Sequence, residues 1–331
     1  MDAKERVQRL LRGEPVDRIP FALWRHLPPE DTTPEGLAEA TVRFVRRWDF
    51  DLVKAMFLNR TWTEHWGTEF EPYDRGGGFY PVRRCVIRQP GDWGQLKPFD
   101  PTRGLFGEQL AMLRMMRQAL GDRVPIAATI FSPLTVGIEL AGPAVHEHTV
   151  TSAPQVHRAM KLISAALADF AQACVEAGAD GLFLAVQSAR EGALSPDAFE
   201  AFGLAYDLPI LERVRARTWI NILHLCKSGI RLETARQYPV QAVNWHDRGP
   251  GNPALRDALG LFSGVLIAGL DHEGTGQFVR GVPEEAAAQA RDAIAQTGGK
   301  RLMLGPGCVT HLGTPEANID AVRQVAHAHH A

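Results

Sequence analysis

The chain has 331 residues, 45% of them hydrophobic, which is enough for the core of one α/β barrel. Its 36 basic and 38 acidic residues give a net charge of -2, which argues against nucleic acid and anionic membranes as partners. With no apolar run near the ~18 residues of a spanning helix, no signal-peptide core and only four cysteines, we expect a cytoplasmic protein with reduced thiols.

Short apolar runs alternate with longer helical patterns along the chain, which predicts a parallel sheet wrapped by helices. Eight runs are typical of strands: 19–23, 51–55, 124–128, 181–185, 219–223, 240–244, 264–268 and 301–304. Eight is the number of strands that closes a (β/α)8 TIM barrel. We therefore expect a single TIM-barrel domain over residues 1–331.

Three helix starts share a Thr or Ser, a proline and an acidic residue. They are Thr33-Pro34-Glu35, Ser195-Pro196-Asp197 and Thr314-Pro315-Glu316. Each predicts an N-cap followed by a proline at the first helical position. Residues 154–177 predict a long helix, and residues 283–297 predict an alanine-rich one.

Residues 67–90 interrupt this alternation. They resemble two strands around the turn Asp74-Arg75-Gly76-Gly77-Gly78, which predicts a β-hairpin. Because the hairpin follows the second predicted strand, it would lie over the C-terminal mouth of a barrel. Two interpretations stay open: an edge hairpin that only packs, and a lid or wall of a pocket.

In a TIM barrel the active site lies where strands end and βα-loops begin. Side chains that can bind metals, anions or protons stand at these ends: Trp24, Arg25, His26, Lys54, Gln187, Ser188, His224, Cys226, Trp245, His246, Asp247, Asp271, His272 and Cys308. His224 and Cys226 are one residue apart, whereas Cys308 follows the last predicted strand. These three ligands can meet only if the sheet closes and brings their strand ends to one rim.

Three ligands of the His, Cys and Cys type leave a zinc ion one open position, as in catalytic zinc sites. With two thiolates and a neutral imidazole the site is formally neutral, so a bound thiol that loses its proton stays electron-rich and nucleophilic. This favours alkyl transfer to sulfur over activation of water, although alcohol dehydrogenases with two Cys and one His are an exception. From spacing alone, packing of His224 and Cys226 at a strand end stays open as the alternative.

Five short stretches of the chain, taken together, are specific enough to indicate a protein family. They are residues 12–20 (Arg-Gly-Glu-Pro-Val-Asp-Arg-Ile-Pro), 91–97 (Gly-Asp-Trp-Gly-Gln-Leu-Lys), 132–135 (Ser-Pro-Leu-Thr), 176–180 (Glu-Ala-Gly-Ala-Asp) and 314–319 (Thr-Pro-Glu-Ala-Asn-Ile). Together they resemble the uroporphyrinogen decarboxylase superfamily over nearly the whole length. That resemblance implies a TIM barrel, in agreement with the strand count.

Two branches of that superfamily differ at the predicted site. True uroporphyrinogen decarboxylases carry Met-Arg-Gln-Ala-Gly-Arg after the first strand, and those arginines hold substrate carboxylates. This chain has Leu23-Trp24-Arg25-His26-Leu27 there, so Arg25 corresponds to one arginine and the second is missing. The decarboxylase His-Gly before the last helix is Pro306-Gly307 here. Both departures count against decarboxylation of a porphyrinogen or related polycarboxylate, which we keep as the alternative reaction.

The other branch comprises the methylcobamide:coenzyme M methyltransferases and related corrinoid-dependent enzymes, which this chain resembles more closely. Their zinc motif is His-x-Cys followed much later by Cys, and His224, Cys226 and Cys308 fall on it. The resemblance implies Zn²⁺ at these residues, a small-molecule thiol as acceptor, and methylcobalamin as donor, usually on a separate corrinoid protein. Lys227 replaces the usual glycine after the motif, which leaves the acceptor open.

The remaining strand-end residues complete the predicted site. Asp247 and Asp271 are candidate catalytic residues, as a fourth ligand or general base, with a rim salt bridge as the alternative for each. His246 is a third candidate, to orient a ligand or shuttle protons, with an exposed rim histidine as the alternative. The candidate substrate-binding residues are Arg25, Lys54, Gln187, Ser188 and Trp245. A non-catalytic corrinoid or metal-binding protein is the rival from another functional class, and the sequence leaves the oligomeric state open.

Overall fold

The architecture comes from a computed structural model that describes residues 1–329. Nine strands are present in this part of the chain: β1 (Val53–Ala55), β2 (Glu69–Phe70), β3 (Val82–Arg84), β4 (Ile126–Phe131), β5 (Gly181–Val186), β6 (Ile222–Leu225), β7 (Ala242–Asn244), β8 (Val265–Leu270) and β9 (Leu302–Pro306). Seven of them form one parallel sheet in the order β1-β4-β5-β6-β7-β8-β9. Their side chains are almost all buried on both faces, as expected for a parallel sheet covered by helices.

Helices separate most of these strands. They are α1 (Ala3–Arg12), α2 (Pro34–Trp48), α3 (Gly104–Leu120), α4 (Pro133–Ala141), α5 (Ala144–Thr151), α6 (Ala153–Glu176), α7 (Pro196–Phe199), α8 (Ala205–Val214), α9 (Leu255–Leu261), α10 (Gln277–Arg280), α11 (Pro283–Thr297) and α12 (Glu316–Ala328). A single π-helical turn, Glu200–Leu204, joins α7 to α8. Within residues 1–329, no helix is both long enough and apolar enough to cross a bilayer.

The sheet curls so that its two ends approach the same segment of chain. Phe21 forms a parallel bridge with Leu304 of β9, and its carbonyl accepts a 2.9 Å hydrogen bond from the backbone of Asp51, just before β1. The predicted α/β fold with a parallel sheet is confirmed, and within residues 1–329 this sheet has seven strands rather than the eight of the predicted TIM barrel. Each of the eight predicted strands overlaps a strand of the sheet or, for 19–23, the bridge at Phe21.

Most predicted helix starts agree with the structure. Thr33 and Ser195 cap α2 and α7 by accepting a hydrogen bond from the backbone three residues later, with proline at the first turn. The third start was wrong in detail, because α12 begins at Glu316 and the hydroxyl of Thr314 donates instead to the carbonyl of His311. The long helix α6 and the alanine-rich α11 match their predicted ranges closely.

Within residues 67–90 the regular structure is limited. Strands β2 and β3 form a short antiparallel pair with an irregular register. A separate bridge joins Asp74 to Phe79 across the glycine-rich turn. The predicted hairpin insertion is therefore represented only by these short pairings.

Polar side chains join the strands at their N-terminal ends. The carboxylate of Asp51 accepts a 2.9 Å hydrogen bond from the backbone of Phe21, and Asp180 does the same for Ile126. Asn221 accepts from Leu182, and Gln241 accepts from the backbone of Asn221. Each of these side chains satisfies a backbone donor of the neighbouring segment, so this end of the sheet is fixed by polar contacts.

Asp51 is also the centre of a charge network. Arg6 of α1 donates to Asp51 at 2.6 Å and to Asp17, and Arg18 reaches both Asp51 and Asp49. Burial raises the pKa of Asp51 to about 6, although the two guanidinium groups oppose that shift. The network attaches α1 to the N-terminal end of the sheet, opposite the residues of the predicted metal site.

Candidate functional site

Three soft-metal ligands meet at the C-terminal ends of β6 and β9. His224 is the penultimate residue of β6, and Cys226 directly follows that strand. Cys308 lies just beyond the end of β9. A ligand atom from each lies within 4.8 Å of the other two. His224 is buried and both cysteines are partly exposed, so the three ligands face a cavity rather than the packed core. The curl of the sheet brings Cys308 beside the other two, as the sequence predicts.

Asn244 fixes the tautomer of His224. The side-chain nitrogen of Asn244 donates to the carbonyls of Ile267 (2.7 Å) and Pro306 (3.0 Å). Its side-chain oxygen must therefore act as the acceptor in the 2.6 Å contact with Nδ1 of His224. Because Nδ1 carries the proton, Nε2 keeps its lone pair and is the nitrogen available to a metal.

The pKa values of the two thiols are shifted in opposite directions. The pKa of Cys308 lies well below the usual thiol value because the Cys226 thiol donates a hydrogen bond to its sulfur. The pKa of Cys226 lies well above the usual value because it is the donor in that pair and is desolvated. One sulfur is thus poised as a thiolate, the form that binds metal.

The ligands open into a small pocket of about 140 Å³. Its wall is mainly aromatic and aliphatic, with Trp24, Phe57, Trp62, Phe131 and Phe183 among the lining side chains. Trp62 and Phe131 stack with ring centroids 4.9 Å apart. Such a wall excludes water and accommodates only a small ligand.

Lys54 is the cation of this pocket. Its side chain is buried, and Nζ lies 2.8 Å from the sulfur of Met56 and 4.7 Å from the ring centroid of Phe183. Among the described residues, no carboxylate lies within ion-pair distance of it. Desolvation lowers the pKa of Lys54 to about 8, while the nearby thiols Cys308 and Cys226 oppose that shift. A buried ammonium without a carboxylate partner is suited to an anion brought by a ligand.

The glycine-rich turn of residues 74–79 packs over one side of the pocket. A side chain at Gly78 (φ 75°) would overlap His26, which lines the pocket. Asn59, another lining residue, exchanges two hydrogen bonds with the backbone of Tyr80, at 2.7 and 2.9 Å. The turn therefore lies against His26 of the pocket wall, and Tyr80, the residue after the turn, is held by Asn59.

The predicted substrate-binding residues are distributed unevenly. Lys54 and Gln187 line the pocket, whereas Arg25, Ser188 and Trp245 do not. The guanidinium of Arg25 lies 4.9 Å from the ring of Phe44 on α2. Ser188 hydrogen-bonds His146 at 3.1 Å, and the indole of the buried Trp245 donates to the carbonyl of Pro253.

The predicted catalytic residues lie beside the pocket. Asp247 is buried and accepts a 2.9 Å hydrogen bond from the backbone of Gly269, and burial raises its pKa. His246 faces Asp271, with Nε2 and Oδ1 3.2 Å apart. The rings of His246 and His272 meet edge to face at 4.6 Å. Burial holds the pKa of His272 below its usual value.

Lys227, which directly follows the ligand Cys226, has a left-handed backbone with φ 80°. Glycine adopts this conformation freely, whereas a lysine there is strained. The backbone requirement explains why a glycine is suited to this place in the motif. The substitution leaves the strand end in position, since the amide of Cys226 still donates to Val186 at 2.9 Å.

Sequence reasoning missed Asn244, Asn59 and Glu273. Asn244 ends a predicted strand, and a polar residue at the C-terminal end of an otherwise apolar strand is the signal that could have identified it. Asn59 begins a short 3-10 helix, Asn59–Trp62, that no sequence pattern predicted. Glu273, which offers a ligand atom beside His246 and His272, directly follows Asp271 and His272, which were predicted.

Comparisons with known proteins show the family and the fold of this chain. The family model described as "Uroporphyrinogen decarboxylase (URO-D)" matches residues 2–329. The methylcobamide:CoM methyltransferase MtbA of Methanosarcina acetivorans is 22% identical over 98% of this chain and 97% of that protein. A uroporphyrinogen decarboxylase of Chloroflexus aurantiacus is 28% identical over 65% of each. The solved structure of a methyltransferase from Methanosarcina mazei superimposes with a TM-score of 0.83 at 20% identity, covering 98% of both chains, and shows the same fold.

Proposed function

Because the chain belongs to the uroporphyrinogen decarboxylase family, whose model spans residues 2–329, we propose that it is a zinc-dependent, corrinoid-linked methyltransferase. It moves a methyl group from methylcobalamin to a small thiol. The observation that carries this proposal is the convergence of His224, Cys226 and Cys308 at one end of the sheet. The full-length similarity to MtbA supports it.

The donor set fits Zn²⁺. Asn244 leaves Nε2 of His224 free, and one of the two neighbouring thiols is already poised to lose its proton. Three N and S ligands that open into a pocket are typical of a catalytic zinc site with one exchangeable position. When bound there, zinc would supply the Lewis acid that lowers the pKa of the acceptor thiol.

The residues of the pocket have separate tasks in this reaction. Lys54 balances the negative charge that arises when the acceptor thiol loses its proton beside two thiolates. The aromatic wall keeps water from the acceptor sulfur, which leaves it nucleophilic. A methylcorrinoid at the mouth of the pocket would supply the methyl group, and it would keep the electron pair of the bond that it gives up, while the residues around His224, Cys226 and Cys308 hold the acceptor sulfur.

The size and charge of the pocket favour a small thiol over a porphyrinogen. The cavity of about 140 Å³ is smaller than the roughly 300–1,000 Å³ typical of sites for drug-sized ligands. Among the described residues that line it there is no arginine, whereas Arg25 lies against Phe44. The corrinoid, which is far larger than the cavity, would approach from the mouth, so we propose a separate corrinoid protein as its carrier.

Several wider expectations belong to the same proposal. The segment around Phe21 acts as an eighth strand that closes a TIM barrel, and the whole chain folds as one domain. The turn of residues 74–79 acts as a lid over the pocket. Because the ligand thiols must stay reduced, the enzyme works in a reducing compartment such as the cytoplasm.

Two measurements test the proposal. The first is the zinc content of the chelator-washed protein and of Cys308→Ser, with His329→Gln and His330→Gln in both to remove tail ligands. We expect the parent to hold one more tightly bound zinc than the variant. The second is methyl transfer from methylcobalamin to a panel of small thiols, some anionic and some neutral, followed by the change in the corrinoid spectrum.

Turnover of several thiols by the parent and loss of turnover in Cys308→Ser are the expected results. Zinc without any methyl transfer would favour a non-catalytic metal-binding protein. Conversion of uroporphyrinogen without a need for zinc would favour the decarboxylase, an alternative kept open by the 28% identity to the Chloroflexus enzyme.

A further inference from the structure

A second cluster of ligands follows β7 and β8. His246, His272 and Glu273 each place a ligand atom within 4.8 Å of the others, and Asp271 lies 3.2 Å from His246. None of these residues lines the pocket that contains Cys226 and Cys308. We propose that the cluster is a second metal site, which binds a divalent first-row transition ion such as Zn²⁺.

Each histidine has one buried nitrogen without a hydrogen bond, and its other nitrogen faces Glu273. Nε2 of His246 and Nδ1 of His272 are both buried, and neither makes a hydrogen bond within the described part of the chain. Oδ1 of Asp271 approaches Nε2 of His246 at 3.2 Å, an ion-pair distance. Buried polar atoms without partners are rare in proteins, and a metal ion is one way to satisfy an imidazole lone pair.

The charge of the cluster is complementary to a divalent cation. Oε1 of Glu273 lies 4.0 Å from Nδ1 of His246 and 3.7 Å from Nε2 of His272. Asp271 faces Nε2 of His246. In residues 1–329 no lysine or arginine pairs with either carboxylate. Two carboxylates that converge on two imidazoles therefore carry negative charge without a fixed counter-ion.

The ligand types restrict the ion. Imidazole suits Zn²⁺, Cu²⁺, Fe²⁺ and Ni²⁺, whereas Mg²⁺ and Ca²⁺ prefer oxygen alone. Two histidines with one or two carboxylates form a set that is common for zinc. This set is harder than the His, Cys and Cys site beside it, so the two sites should differ in affinity and in spectroscopic signature.

The loop of residues 271–276 is packed closely enough to hold such a site. A side chain at Gly276 would overlap the carboxylate of Asp271, and a side chain at Gly307 would overlap the backbone of His246. Gly307 directly precedes Cys308. A metal ion in the cluster would fasten this loop to the end of β7, next to the segment that carries Cys308.

The test isolates the second site by removing the first. Zinc affinity is measured by competition with a weak chelator in Cys226→Ser/Cys308→Ser, with His329→Gln and His330→Gln to remove tail ligands. We expect this variant to retain one zinc equivalent. Adding His246→Gln/His272→Gln should weaken zinc binding at least ~100-fold, and adding Glu273→Gln at least ~10-fold. Glu284→Gln, which changes an exposed acid outside the cluster, is the matched control and should change nothing.

Co²⁺ provides a second readout with the thiols intact. The sulfur-to-cobalt charge-transfer band should persist in His246→Gln/His272→Gln, while one equivalent of bound cobalt is lost. If that double variant does not fold, Glu273→Gln still decides the question, because its side chain is exposed. The proposal is overturned if the double serine variant binds no zinc, or if its zinc affinity does not depend on His246, His272 or Glu273. Neither result depends on whether methyl transfer occurs.

Discussion

Asn244 connects the predicted metal ligand to two neighbouring strands. It holds His224 by one hydrogen bond and is itself held by the carbonyls of Ile267 and Pro306. Asn244→Ala should lower zinc affinity ~10- to 100-fold, because His224 loses the partner that fixes its tautomer and ring orientation. Chelator competition measures this change.

The matched control for Asn244 is Asn221, a buried asparagine at the opposite end of the sheet that joins β5 and β6. Asn221→Ala should lower the free energy of unfolding by a similar amount and leave zinc affinity unchanged. Equal zinc affinities in the two variants would show that Asn244 is only a structural residue.

Lys54 allows a second test at the scale of one residue. Lys54→Met keeps most of the packing against Phe183 and removes the positive charge. We expect kcat/KM for thiol methylation to fall ~10- to 100-fold, about 1.4–2.8 kcal/mol of transition-state stabilisation, with zinc content unchanged. Lys54→Arg should recover part of the loss. Unchanged kinetics in Lys54→Met would exclude a role in charge balance.

The sequence identifies residues whose chemistry is unusual and misses those whose role is to position others. His224 and Cys226 are visible because two soft ligands stand together, and Cys308 is visible once the barrel is assumed. Asn244 is an ordinary strand residue until its hydrogen bonds are known. Arg25 could not be placed from sequence, because whether its side chain points to the pocket or to Phe44 depends on how α2 packs.

At the scale of elements, the turn of residues 74–79 is the part of the pocket that can be changed alone. Gly78→Ala introduces a side chain that overlaps His26, whereas Gly192→Ala introduces one at a similar φ of 71° with open space around it. Both should lose ~1 kcal/mol of stability from backbone strain. Only Gly78→Ala should alter KM for the thiol or the corrinoid. Equal kinetics in both variants would favour a hairpin that only packs.

A buried carboxyl group joins α8 to the segment before β7. Asp207 is fully buried, accepts a 2.6 Å hydrogen bond from Tyr238, and has a pKa that burial raises to about 7. Because this pKa exceeds the ~3.9 of an unfolded chain, the group contributes stability that is complete below pH ~4 and is lost as pH rises through about 7.

The unfolding free energy of the parent protein should therefore fall by up to a few kcal/mol between pH 5 and pH 8. Asp207→Asn should abolish this fall. Urea titrations at the two pH values measure it, with Asp122→Asn, an exposed acid, as the control. A parent protein that is equally stable at both pH values, or a variant with the same pH dependence as the parent, would contradict this prediction.

The order of elements was easier to predict than their ends. Alternation of apolar runs and helical patterns located every strand of the sheet, because a parallel sheet buries both faces. The start of α12 was misplaced by one residue, since Thr314 bonds to His311 rather than capping the helix. Sequence cannot decide between two local hydrogen bonds of similar strength.

For the whole molecule, a single continuous sheet predicts one cooperative unfolding transition, with circular dichroism and tryptophan fluorescence coincident. Zinc should shift that transition to higher temperature. At a free zinc concentration 100 times Kd, the stabilisation from one site is about 2.7 kcal/mol. Cys308→Ser should lack the part of this shift that comes from the site of His224, Cys226 and Cys308. Two separate transitions would contradict the single domain, and a shift unaffected by Cys308→Ser would place the zinc elsewhere.

The network around Asp51 has a consequence for how this family could diversify. Arg6, Arg18 and Asp51 secure the end of the sheet opposite the pocket, and Asp180 and Asn221 contribute at the same end. Loops at the other end can then accumulate substitutions without loosening the scaffold. Divergence between decarboxylases and methyl-transferring relatives would require changes on one face of the molecule only.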